Sequence, residues 1–157
     1  MKVLIAVDRS DIAEKAFDWY IKHTHLPENE ILVYYQAQRP SLPTAGLGVS
    51  FPAEEISRVM SEHQKAMTEL QNHYTLRCKQ VAKKYQVVVE SLVGNPGQGI
   101  IKMAEKSAVN LIVMGTRGQG SIRRTILGSV SDYVLHHSKV QVLIYRDVKD
   151  STAPSIN

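Results

Sequence analysis

One cysteine, Cys78, stands in this chain of 157 residues. That scarcity excludes an internal disulfide framework and a multi-cysteine zinc site. Long apolar runs are missing too. The opening stretch Met1-Lys-Val-Leu-Ile-Ala-Val7 is cut off by Asp8-Arg9, short of a signal-peptide core and far short of a membrane span. These shortages predict a cytoplasmic protein with no membrane partner. No internal repeat is found, and the net charge of +4 is modest. Arg77, Lys79, Lys83 and Lys84 fall in a helical pattern and read as a solvated face rather than a nucleic-acid contact, so no nucleic-acid partner is expected. The pairs His23/His25 and His136/His137 lack carboxylate or cysteine partners at ligand spacing, and no metal site is expected.

What is present is enough for one folded unit, since 43% of the residues are apolar. Strand-like and helix-like segments alternate, the pattern of a parallel α/β sheet. Strands are expected at Lys2–Asp8, Glu30–Gln36, Val87–Val93, Leu111–Gly115 and Val140–Tyr145, mostly continuous apolar runs that suit a sheet covered on both faces. A helix is expected over Asp11–Thr24, capped by Ser10. A long one is expected over Ala53–Tyr85, on a stripe running through Ile56, Met60, His63, Met67, Leu70, Tyr74, Cys78, Val81 and Tyr85. Ile100, Ile101, Ala104 and Ala108 outline a third helix, and Val130, Val134 and His137 a fourth. His63 and Cys78 are expected to face the core. Residues 39–52, rich in proline and glycine, read as a loop, either a mobile lid or a passive connection. Residues 1–147 form the expected domain and 148–157 a disordered tail.

The most informative feature is a set of spaced glycines, Gly115-Thr-Arg-Gly118 followed after nine residues by Gly128-Ser129. It lies between the apolar run Leu111–Met114 and the helical pattern that begins near Val130. Strand, glycine-rich loop and helix in that order suit a phosphate: the glycines let backbone N–H groups approach an anion, and the helix start adds unpaired donors and partial positive charge. Two familiar motifs fail. Gly115 to Gly120 has the gap of a Walker A loop, but Ser121 stands where the lysine is needed. Gly118-Gln-Gly120 opens a dinucleotide fingerprint, but Arg123 occupies the third glycine position.

The spacing Gly115, Gly118, Gly128 and Ser129 resembles the motif of nucleotide-binding universal stress proteins. The likeness covers roughly Lys2 to Tyr145, with a first strand ending in Asp8 and a Gly94-x-Pro96 turn after the third. The resemblance implies a Rossmann-like fold of the adenine nucleotide alpha hydrolase-like type: a five-stranded parallel sheet, order 3-2-1-4-5, with helices on both faces. It also implies binding of ATP or AMP, with magnesium accompanying ATP as an open question. Ala6, Val7 and Asp8 would then contact adenine and ribose. Asp8 would accept from the ribose hydroxyls, or serve as a turn carboxylate beside Ser10. Gln36 falls where the family has an adenine-contacting residue that is often apolar, and a glutamine there has an amide to offer the base edge. Met114 and Gly115 would present backbone groups. Gly118 would meet the phosphates, with Arg117 aimed at them or facing solvent, and Gly128, Ser129, Val130 and Ser131 would hold the terminal ones through N–H groups and two hydroxyls. Family members commonly pair through the last strand, so a homodimer through the edge Val140–Tyr145 is expected.

Catalytic equipment is sparse, and no catalytic residue is assigned. Asp8 is the only carboxylate expected near the ligand. The expected function is an adenine-nucleotide-binding stress-response or signalling module. The alternatives are a slow ATPase and a dimeric interaction protein that binds no nucleotide.

Overall fold

The computed structural model describes residues 1–40, 52–116 and 127–147. The elements run β1 (Lys2–Ala6), α1 (Asp11–His23), β2 (Glu30–Gln38), α2 (Ala53–Val81), β3 (Lys84–Leu92), α3 (Pro96–Lys106), β4 (Leu111–Gly115), α4 (Ser129–His137) and β5 (Gln141–Tyr145). The strands form one sheet in the order β3-β2-β1-β4-β5, and every pairing is parallel. Much of loop 39–52 and the whole of tail 148–157 lie outside the described residues.

Alternation along the central strands divides the core in two. Val3 and Ile5 of β1 join Ile31 and Val33 of β2 and Val113 of β4 on one face, under Phe17 and Tyr20 of α1 and Leu70, Tyr74 and Cys78 of α2. Leu4 and Ala6 join Leu32, Tyr34, Ile112 and Met114 on the other, under Ile100 and Ala104 of α3 and Val134 of α4. A parallel sheet buried on both faces needs apolar residues at consecutive positions, and this accounts for the unbroken runs in the sequence.

Several expected features shift. The long helix stops at Val81, because Ala82 turns to extended backbone (φ −125°, ψ 138°) and β3 begins at Lys84, in register with Glu30 of β2. Tyr85 therefore continues the same buried cluster from the strand rather than from the helix. The stripe is not buried along its whole length either: Met60 is 42% exposed, and the buried residues of α2 begin at Met67. Ala108 is not helical. It follows the Ser107 C-cap with φ +50°, the left-handed region, while its N–H donates to Glu105 O.

α1 and α2 are joined by charge as well as by apolar burial. Arg77 of α2 donates to Glu14 and Asp18 of α1, and its guanidinium lies 4.7 Å from the centre of the Phe17 ring. This position, expected to be a solvated lysine-and-arginine face, is a clamp between two helices. Arg77→Ala is expected to cost about 1–2 kcal/mol, the worth of a partly exposed charge network with a cation–π contact, read as a lower urea midpoint at unchanged slope. Cys78 beside it is completely buried, and burial pushes its thiol up to about 11 although Arg77 pulls it down. It should resist thiol reagents at pH 8 in the native protein and react fully once urea unfolds the chain.

Candidate functional site

In the observed strand order the chain leaves β1 toward β2 on one side and returns to β4 on the other, so a crevice opens at the carboxyl ends of these strands. A cleft of about 730 Å³ occupies that place. This is within the usual range for small-molecule sites, about 300–1,000 Å³. Its walls bring together Ala6, Val7 and Asp8 after β1, Gln36 on β2, Met114 and Gly115 at the end of β4, and Gly128, Ser129, Val130 and Ser131 at the start of α4. These are the sequence-derived candidates within the described residues. Arg117 and Gly118 lie outside them.

Each wall has a local cause. β1 ends at Ala6, two residues earlier than expected, and Val7 remains tied to the sheet by donating its N–H to Tyr34 O at 3.0 Å. Asp8 then turns the chain into α1, accepting from the Ser10 N–H at 3.0 Å and from the Ser10 hydroxyl, while the Ser10 oxygen caps the Ala13 N–H. Gly115 is glycine because α1 passes over the end of β4. A Cβ there would come within 3.1 Å of both Ile12 Cγ1 and Cγ2 and 3.2 Å of Ile12 O.

The helix starts at the cleft differ in one respect. Ser10 caps α1, and Asn95 caps α3 by accepting from the Gly97 N–H at 2.7 Å. α4 is preceded by Gly128, which has no side chain to offer, and its first helical bond is donated by Asp132 to Gly128 O. The N–H groups of Ser129, Val130 and Ser131 thus precede the first intrahelical donor and have no intrahelical acceptor. They form the positive end of a helix dipole at the cleft wall. The two serines are not equivalent. Ser131 is 2% exposed, and its hydroxyl lies 2.9 Å from both Thr116 O and Gly128 O, stitching the end of β4 to the start of α4. Its proton is committed to those carbonyls, so Ser129 carries the exposed hydroxyl of the pair.

The cleft also has residues that sequence reasoning did not place there. Asn95 and Pro96 line it from the start of α3, and their cap-then-proline order is a legible helix start. Tyr34 and Tyr35 line it from β2. Burial first, and then the nearby Asp8 charge, push the Tyr35 phenol above its ordinary value, against a smaller pull from Arg9. His63, expected to face the core, instead lines the cleft, with its Nε2 2.8 Å from Ser91 Oγ. No sequence signal predicts that pairing, because the two residues come from α2 and β3. Among the described residues no group of three or more His, Cys, Asp or Glu side chains could hold a metal ion, and no helix is long and apolar enough to cross a membrane.

Comparison with known proteins agrees with this architecture. The model of the universal stress protein family matches residues 1–146. Universal stress protein Sll1388 of Synechocystis is 30% identical over 149 residues, covering 91% of this chain and 96% of that protein. Among solved structures, universal stress protein UspA of Lactobacillus plantarum superposes with a TM-score of 0.74 at 19% identity, over 93% of this chain and 97% of that one. A universal stress protein family protein of Arabidopsis thaliana, solved with AMP bound, gives 0.68 at 17% identity, over 99% and 97%. With its five-stranded parallel sheet in the order 3-2-1-4-5 and a family match from residue 1 to residue 146, the chain belongs to the universal stress protein family.

Proposed function

We propose that this protein binds an adenine nucleotide, ATP in the first instance, in the cleft between β1 and β4, and acts as a stress-response or signalling module. The observation that carries the reading is the start of α4, whose first N–H groups have no intrahelical acceptor and border a cleft of nucleotide size that Asp8 also lines. The AMP-bound Arabidopsis relative supports the choice of adenine. In this arrangement Ala6 and Val7 contact the adenosine, and Asp8 accepts from the ribose hydroxyls. Met114 and Gly115 line the opposite side. Ser129, Val130 and Ser131 receive the terminal phosphates, chiefly through backbone N–H groups, beside Gly128, whose own N–H is donated to Thr116 O, with Arg117 and Gly118 contributing from the loop. Asp8, already hydrogen-bonded by Ser10, is assigned to binding rather than to activating water. Magnesium would enter with ATP as a phosphate counter-charge.

We further propose a homodimer through the β5 edge. Val142, Leu143, Ile144 and Tyr145 are only half-buried, although the core clusters reach Val142, Leu143 and Ile144. Trp19 of α1, 37% exposed, lies 6.4 Å from Tyr145 in ring-centre distance and widens the apolar rim of that edge. An apolar edge with no partner strand among the described residues, beside an aromatic residue, suits a second copy of the chain.

Two measurements test these readings. Freshly purified protein should release adenine nucleotide on denaturation, or bind added ATP with micromolar affinity, about 8 kcal/mol. Gly128→Val, which crowds the α4 start, should weaken binding at least about tenfold. No binding, or an unchanged affinity in the variant, would refute the assignment. Sedimentation equilibrium at micromolar concentration should give twice the chain mass, and a monomer would refute the edge pairing.

A further inference from the structure

Behind the cleft, three polar side chains meet in an otherwise apolar layer. Gln36, 6% exposed, lines the cleft from β2, and Glu90 stands opposite it in register on β3. Tyr34, two residues before Gln36 on the same face, has its hydroxyl 3.2 Å from Glu90 Oε2 and 3.4 Å from Gln36 Oε1. α3 makes room for this group with Gly99, where a Cβ would fall 1.5 Å from Gln36 Oε1. Glycine inside a helix is unfavourable relative to alanine, and here it leaves the notch in which the amide sits.

The phenol has one proton for two acceptors. An ionised carboxylate is the stronger acceptor, and it is also the nearer one. Burial, and then the charge of Glu90, raise the Tyr34 pKa, so the phenol keeps its proton and donates it to Glu90. What the phenol oxygen then offers Gln36 is a lone pair, which an amide N–H satisfies and an amide carbonyl does not. The two ends of a glutamine amide have nearly the same shape, and the hydrogen-bond network decides which end faces which partner. With its NH₂ held by Tyr34, Gln36 has its carbonyl oxygen free for the cleft.

We propose that Gln36 is a specificity-determining residue for the base, with Tyr34 and Glu90 as positioning residues that turn its carbonyl oxygen toward the cleft, so that the site selects a purine carrying a 6-amino group over one carrying a 6-oxo group. The inference rests on the nucleotide reading of the cleft. An exocyclic amine donates to that oxygen, whereas a 6-oxo group sets two acceptors against each other and leaves a buried group unsatisfied.

The test is calorimetric titration of the full chain with ATP and with ITP, which carry the same ribose and triphosphate. The wild type should favour ATP by about tenfold or more. Gln36→Met should bring the ratio close to one, and Tyr34→Phe and Glu90→Gln should each lower it by freeing the amide to turn. Glu90→Gln sits at a half-buried position on the sheet edge and serves if either core variant fails to fold. Equal affinity for the two nucleotides in the wild type, or a preference for ITP, would overturn the proposal. So would an ATP preference that the variants leave unchanged, since it would then come from backbone groups. Failure of the wild type to bind either nucleotide would instead overturn the nucleotide reading itself, and this proposal with it.

Discussion

The cleft exists because β1 is hydrogen-bonded along both edges while the chain reaches its two neighbours by opposite routes. β1 pairs with β2 and with β4, both in parallel. Parallel strands require a crossover through a covering element, and the crossovers of one hand place α1 and α2 on one face and α3 and α4 on the other. Where the two windings part, no helix among the described residues covers the strand ends, and the backbone of residues 6–8 is left facing the end of β4. Burial of Val3, Leu4 and Ile5, all fully excluded from solvent, holds this geometry fixed. A ligand entering there meets groups already positioned by the core.

The same winding points the starts of α1, α3 and α4 toward the cleft, and their caps divide the work among them. Ser10 and Asn95 satisfy their own helix starts. Gly128 leaves its helix start open, while the Ser131 hydroxyl secures that turn from the inside. The site is therefore built from a deficiency at one helix end, braced by a buried side chain that makes no demand on the ligand.

Much of this was readable in the sequence, because much of it is local. The strand and helix alternation, the Ser10 cap and the spaced glycines are written over a few residues each, and the family resemblance that the glycines carry implied the observed strand order and ten positions that line the described cleft. The failures occur where tertiary context overrides a local pattern. Tyr85 continued a three-and-four spacing but belongs to β3, since an apolar residue on the neighbouring strand can serve the same cluster as the helix before it. Ala108 fitted helical spacing but sits at positive φ. His63 with Ser91, and Tyr34 with Glu90, are joined across 28 and 56 positions, and no local pattern encodes such pairs.

Trp19 is the only tryptophan in the chain. It sits six residues along α1 from Ala13, which lines the cleft, or roughly 9 Å along the helix axis. Its ring neighbours are His23, at 5.2 Å, and Tyr145 of β5. The protein's intrinsic emission is therefore placed to answer to whatever covers the sheet edge, more than to occupancy of the cleft. A single indole thus stands beside the β5 edge and apart from the cleft.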